Sequence, residues 1–306
     1  MRPILLAGLM ACATAVPALA QDVTIDTATG PVTLTQAPQS VVVFDAPSVD
    51  TISALGQPIA GLPSPLYMGS IGGMARVLDA ATPVGTLFEP DFEALAVMGP
   101  ELIVAGGRSS TQLGPLSRIA ATIDMTVDGA GGNMVSQTRG RIAAFGALFD
   151  REDAAAELTE ALTAKLDEAA AAVKGKGKAL VILTNGGKIS AFGSGSRFGW
   201  LHDAVGLPQA HPGLQAETHG QAISFEFLAQ TDPDWLLVID RGAAIQADSQ
   251  AARATLDNPI VARTRAAQND RIVYLDAAPI YISGGGARSM MHTLDELIAA
   301  FSGAEG

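Results

Sequence analysis

Near the middle of the chain lies a stretch with no glycine or proline, Arg151 to Lys174, which reads REDAAAELTEALTAKLDEAAAAVK and stops at Gly175. Leu158, Leu162, Leu166, Ala169 and Val173 recur at spacings of four, four, three and four residues, which places them on one face of a helix. Asp150 is the expected N-cap, Glu152 and Asp153 suit the positive end of the helix dipole, and Lys174 and Lys176 suit the other end. At 1.5 Å per residue such a helix spans about 36 Å, the width of a small domain. Two readings follow: a surface helix of one domain, or a rigid connector with a similar lobe on each side.

The first twenty residues, MRPILLAGLMACATAVPALA, have one basic residue, an apolar centre and an Ala-Leu-Ala before Gln21, the pattern of a cleaved secretory signal. A competing reading is a lipoprotein signal ending at Cys12, which leaves little room for an apolar core before the cysteine. Cleavage after Ala20 removes that single cysteine, so the exported chain has no disulfide, thiol nucleophile or cysteine metal ligand. Roughly 285 residues remain, enough for one large domain or two ordinary lobes. The formal charge of −12 argues against nucleic acid and anionic membrane as partners, while leaving a locally basic cleft open.

Before the long helix, a short strand and turn (Val23 to Leu34) precede a compact strand, Ser40 to Asp45, and a helix from Ser48 to Leu55. Pro58 to Gly73, containing Tyr67, reads as a surface or rim loop; Phe92 to Met98 is helical and Glu101 to Ala105 is a buried strand. Leu116 to Ala121 and Met134 to Leu148 read as further helices. After the long helix the pattern restarts with strands at Ala179 to Leu183, Ile189 to Phe192, Trp235 to Ile239 and Arg271 to Leu275. Helices are expected at Trp200 to Val205, Phe225 to Ala229 and Ser289 to Phe301. Strands alternating with helices predict α/β lobes with parallel sheet. The expected division is a signal (1–20), an N-terminal lobe (21–150), the connecting helix (151–176) and a C-terminal lobe (177–306).

An internal repeat supports two lobes. Phe92 through Pro100 to Arg108 aligns without a gap on Phe225 through Pro233 to Arg241, an offset of 133, with Phe, Glu, Leu, Ala, Pro and Arg recurring in place. Helix and strand matches alone are common, but paired arginines just beyond the carboxyl ends of paired strands stand where open parallel sheets bind ligands. A third arginine, Arg197, lies in the glycine-rich loop GSGSRFG (193–199), which has Phe198 where a dinucleotide fingerprint needs glycine and lacks a P-loop ending. Arg108, Arg197 and Arg241 therefore converge on an anion-binding cleft, since arginine keeps its charge and offers several directed donors. His219, in a polar loop, and Tyr281, before three glycines, could complete the coordination of a hard Fe(III) centre. His202 reads as structural, His211 and His292 have no evident partners, and no carboxylate–histidine set suggests a zinc or manganese cage.

These phrases, in order, carry a resemblance: VGTLFEPDFE (84–93), GGRS (106–109), GSRFG (195–199), THGQ (218–221), VIDR (238–241) and YISGGG (281–286). Over essentially the whole mature chain the sequence resembles the periplasmic iron–siderophore binding proteins of ABC importers, in the branch binding catecholates of petrobactin and enterobactin type. The resemblance implies two Rossmann-like α/β lobes joined by one long helix, corresponding to Arg151–Lys174. It implies that Arg108, Arg197 and Arg241 contact anionic catecholates, and that His219 and Tyr281 bind iron when the siderophore leaves positions open. It further implies that an acidic residue on each lobe, here Glu93 and Glu226, docks a permease dimer with its ATPase. The expected protein is a periplasmic, monomeric, non-enzymatic carrier with no intrinsic cofactor, the Fe(III)–siderophore being its cargo. The alternatives are haem or a hydroxamate siderophore in the same fold, or an α/β enzyme using the glycine loop for a nucleotide.

Overall fold

The computed structural model describes residues 22–128, 133–215 and 219–303. The expected leader with Cys12, and Glu217-Thr218 of the histidine loop, lie outside the described residues. Strands β1 (Asp22–Thr27) and β2 (Gly30–Thr35) form an antiparallel hairpin. The first sheet is built from β3 (Val41–Val43), β4 (Gly61–Leu62), β5 (Thr82–Pro83), β6 (Leu102–Ala105) and β7 (Ala121–Asp124), all parallel, in the order β5-β4-β3-β6-β7. Its helices are α1 (Ala46–Ala54), α2 (Met74–Ala80), α3 (Phe92–Met98) and α4 (Leu113–Leu116), followed by α5 (Met134–Leu148) and the long α6 (Glu152–Val173).

A second sheet takes the order β10-β9-β8-β11-β12, from β8 (Ala179–Asn185), β9 (Lys188–Phe192), β10 (Gln221–Ile223), β11 (Trp235–Asp240) and β12 (Ile272–Leu275). Here β8, β11 and β12 are parallel, and β9 and β10 join as antiparallel strands. Short helices α7 (Trp200–Asp203), α8 (Phe225–Thr231), α9 (Arg241–Ala244), α10 (Ala252–Leu256) and α11 (Arg265–Gln268) flank it, and α12 (Ala287–Ser302) closes the chain. The fold is therefore α/β, with β3 and β6 wholly buried, as runs such as Val41-Val42-Val43 require, and β8 and β11 buried except toward their carboxyl ends.

The repeat is structural as well as sequential. Helices α3 and α8 begin and end at positions 133 apart, and β6 and β11 begin 133 apart. Asp91 caps α3 by accepting from the Glu93 and Ala94 N–H groups, and Ser224 caps α8 by accepting from Phe227 N–H. Leu116 to Ala121 is not one helix: α4 ends at Leu116 and Ala121 opens β7. The short ATID strand alternates too weakly to be told from helix by periodicity. Nor is Pro58–Gly73 merely a rim loop, because it includes β4 and buries Leu66, Met68 and Ile71.

Helix α6 starts and ends one residue inside the expected span and buries Ala155, Leu162, Leu166, Ala169 and Val173. Asp150 is not its N-cap. It takes a left-handed φ of 57° in the reversal between α5 and α6, and Arg151 holds the cap position without a side-chain acceptor. That reversal is tight: a Cβ on Gly146 would lie 2.5 Å from the Ala155 Cβ. Along its buried face α6 packs on α5 and, more extensively, on α12. The long α6 is thus the helix that runs from the first sheet to the second, with α12 packed along it.

The start of α12 is anchored in the first half. Ser289 N–H donates to Asp50 Oδ2 at 2.8 Å, Ala287 N–H to Thr51 Oγ1 at 3.3 Å, and Arg288 to the Ser53 carbonyl at 3.0 Å. The Gly285 carbonyl accepts from Arg141 Nη1 at 2.8 Å and Thr138 Oγ1 at 3.0 Å. Gly286 must be glycine, since a Cβ there would meet Asp50 Oδ2 at 2.4 Å. Asp45, Asp50 and Arg141 are all buried, with Arg141 Nη2 3.9 Å from Asp45 Oδ2. Two buried carboxylates facing one buried guanidinium favour a proton on one of them. Burial lifts the Asp50 carboxyl to about 6, against the opposing pull of the Ser289 hydrogen bonds and of Arg288.

Asp50 therefore weakens the native state as it ionises. Its stabilising effect is complete below the unfolded value of 3.8 and is lost as pH rises through about 6. Asp50→Asn keeps an acceptor for Ser289 and removes the titration. Denaturant unfolding should show the variant gaining about 2 kcal/mol on the wild type between pH 4.5 and pH 7.5. A pH-independent difference would show that Asp50 does not titrate in this window.

Candidate functional site

Each sheet has a switch point where consecutive strands depart to opposite sides, β3 beside β6 and β8 beside β11, and crevices at such carboxyl ends hold ligands. The chain leaves β6 through Gly106 and Gly107. A Cβ on Gly106 would sit 2.8 Å from the Asp45 carboxylate, and Gly107 adopts a left-handed φ of 40°, so two glycines let the backbone turn and present Arg108. At the matching edge Asp240 accepts from the Ala243 and Ala252 N–H groups, which leaves Arg241 unpaired by it. Arg197 is carried by the glycine-rich loop, which closes on itself: a Cβ on Gly199 would meet the Gly193 carbonyl at 2.3 Å. Those glycines serve internal packing of the loop, with Phe198 buried against Phe192 at 4.7 Å between ring centroids.

All three arginines meet at Tyr281. This residue lies on a π-helical turn, Ala278–Ile282, a local widening frequent at functional sites. Arg108 donates through Nη2 to the Tyr281 carbonyl and through Nη1 to the Ile282 carbonyl, both at 3.2 Å. Arg197 Nη2 donates to the same Tyr281 carbonyl at 2.6 Å. Arg241 Nε donates to the Tyr281 hydroxyl at 3.0 Å, and its Nη1 to Asn185 Oδ1 at 3.2 Å. The Arg197 guanidinium also lies 4.6 Å from the Tyr281 ring centroid and 5.0 Å from that of Phe198, so two adjacent rings border it.

Among the described residues no carboxylate forms an ion pair with any of the three. Burial pushes the Arg197 pKa down, and repulsion from Arg108 adds to it, while Tyr281 opposes both. Positive charge is thus concentrated and only partly answered by carbonyl and hydroxyl oxygens. That arrangement is chemically suited to a multivalent oxygen anion.

Beside this cluster opens a cavity of about 610 Å³. Arg197, Arg241, His219 and Tyr281 line it, over apolar walls that include Leu183, Phe192, Phe198 and Phe225. His219 is exposed and precedes Gly220, whose φ of 72° lets the turn pass the Phe192 ring. Four of the five ligand-binding candidates border this space, and Arg108 reaches it through Tyr281. The other histidines are engaged elsewhere: His202 is buried with Nδ1 2.9 Å from the Leu207 carbonyl, His211 packs edge-on to Phe227, and His292 pairs with Asp276 at 3.4 Å. Among the described residues no group of three or more His, Cys, Asp or Glu is placed to hold a metal.

Glu93 and Glu226 occupy the first turns of the equivalent helices α3 and α8, but only Glu226 borders the cavity. Sequence reasoning missed Asn185 and Lys188, which also line it. Their signal was the hairpin itself, because residues flanking a two-residue turn point to one face.

Residues 41–279 match the periplasmic binding protein family. The petrobactin-binding protein of Bacillus subtilis is 38% identical over 270 residues, covering 85% of this chain and 81% of the relative. Its crystal structure superposes with a TM-score of 0.86, at 33% identity, over 92% of this chain and 99% of that one. The periplasmic catecholate-siderophore binding protein of Vibrio cholerae gives a TM-score of 0.82 at 30% identity, covering 91% and 100%.

Because two of the arginines hold Tyr281 by its backbone carbonyl, Tyr281→Phe should leave the unliganded site assembled and cost only about 1 kcal/mol in urea unfolding. Gly199→Ala forces backbone to move and should cost about 1–3 kcal/mol. The reverse order would place the anchor on the hydroxyl.

Proposed function

The chain belongs to the periplasmic binding protein family, and on that premise we propose that it captures an anionic Fe(III)–catecholate siderophore between its two halves and delivers it to an ABC importer. The observation that carries this reading is the convergence on Tyr281, beside an apolar cavity, of three arginines that no carboxylate among the described residues pairs. A ferric catecholate is flat-ringed, apolar at its ring faces and anionic at its oxygens. The phenylalanine walls suit the rings, and the guanidinium N–H groups not spent on Tyr281 and Asn185 suit the oxygens. Burying such charge is tolerable because donors and countercharge are both in place.

Iron is cargo in this scheme. His219 and Tyr281 offer one imidazole and one phenol at the cavity, suited to the positions that a tetradentate siderophore leaves open on Fe(III). The protein is a carrier and breaks no bond. The proposed ligand-holding lobes are residues 21–150 and 177–306, with 151–176 between them. Glu93 and Glu226, one on each repeat, are proposed to dock the permease dimer, whose ATPase powers import. Export through the expected leader and action as a monomer belong to the same proposal.

Titration with a tetradentate Fe(III) bis-catecholate, followed in the visible charge-transfer band, tests the iron ligands. His219→Ala and Tyr281→Phe should each shift the band or weaken binding, and an unchanged spectrum and affinity in both would rule out direct ligation. Arg241→Gln should weaken the anionic complex about 10- to 100-fold, since hydrogen bonds to charged groups contribute about 1.5–3 kcal/mol. A neutral ferric hydroxamate should be affected far less. An equal loss for both would sink the charge argument.

A further inference from the structure

Lys188 sits in the cavity with no assigned role. It opens β9, directly across from Asn185 in the antiparallel register, with Leu183 opposite Ser190 and Val181 opposite Phe192. Paired residues in such a ladder share a face, and alternate residues of one strand return to it. Lys188, Ser190 and Phe192 therefore form one row along the cavity, with Ala222 opposite Ser190 on β10. At about 3.4 Å per residue, Lys188 stands roughly 14 Å from Phe192, which packs against Phe198, while the Tyr281 hydroxyl lies toward the Lys188 end, joined to Asn185 through the Arg241 guanidinium. The small side chains of Ser190 and Ala222 leave a trough between the two ends.

The far end is cationic and unspent. Lys188 is exposed, and among the described residues its ammonium group makes no hydrogen bond or ion pair. Its neighbour across the hairpin, Asn185, is oriented by Arg241, which turns the amide oxygen toward the arginine cluster and leaves the amide N–H groups for another acceptor. Glu226, the one carboxylate among the described residues lining the cavity, is occupied at the start of α8. Hydrogen bonds from its own backbone N–H and from the Ser224 hydroxyl hold its carboxyl below the usual range.

We infer that Lys188 is a fourth cationic contact, and that the ligand carries, beyond its iron-binding oxygens, a further anionic oxygen group that Lys188 and the Asn185 amide receive. The assignment rests on the siderophore reading above and narrows the ligand class within it: a ferric complex with an anionic group outside its iron-binding oxygens fits this cavity better than one whose charge lies only at the iron.

Two Fe(III) complexes of tetradentate bis-catecholates test it, one with a plain linker and one whose linker bears a free carboxylate. The wild type should prefer the carboxylate-bearing complex. Lys188→Gln should weaken that complex five- to twentyfold and the plain one by less than twofold, while Lys188→Arg should retain most of the preference. The effect should shrink in 1 M NaCl, because a contact at an open rim is screened. Equal losses for both complexes would mean a general charge effect and overturn the assignment, as would unchanged affinity for both. Failure of the wild type to bind either complex would overturn the siderophore reading itself, and this inference with it.

Discussion

The structure depends on one buried contact, the docking of the Gly285–Ser289 turn on Asp50, Thr51, Thr138 and Arg141. That turn directly follows Tyr281 and Ile282, whose carbonyls receive Arg108 and Arg197. A shift of the docked turn would therefore move the oxygen on which the arginines converge. Gly286 makes the approach possible by having no side chain against Asp50, and Arg141 ties the turn to the Met125 carbonyl at 2.7 Å. A buried polar network of this kind adds little net stability, but it penalises alternative positions of the turn, because each would leave a buried group unpaired.

Helix α6 packs on α5 and α12, and α12 runs along it and carries the clasp into the first half. Movement between the halves would have to break or bend both. That is consistent with a binding protein whose half-sites are nearly preorganised, so that little of the ligand's interaction energy is spent on ordering the protein.

The repeat is symmetric in its frame and asymmetric in its chemistry. Arg108 and Arg241 leave corresponding strand ends, yet the cavity is lined by residues from the second half, where the β8–β9 hairpin, the glycine loop and the Tyr281 turn come together. The first half contributes Arg108 and the cluster beneath the docked turn. Arginines collected with no carboxylate partner among the described residues repel one another, a cost that an incoming anion relieves.

Much of this was legible in the chain. Unbroken periodicity located α6, the 133-residue offset located α3, α8, β6 and β11, and glycines at strand ends pointed to Arg108 and Arg197. These are local signals, written in spacing and turn chemistry, and neighbouring residues suffice to produce them. The β7 strand and the left-handed Asp150 were misjudged because tertiary pairing and a helix–helix reversal outweighed local preference there. Nothing local marks the Tyr281 carbonyl as the meeting point of Arg108 and Arg197, 173 and 84 residues away, or Asp50 as the anchor of Ser289, 239 residues on. Sequence determined which side chains could reach a cleft. Only the packed structure decided which oxygen they share, since long-range contacts arise from how the sheets and helices close on one another and not from the residues beside them.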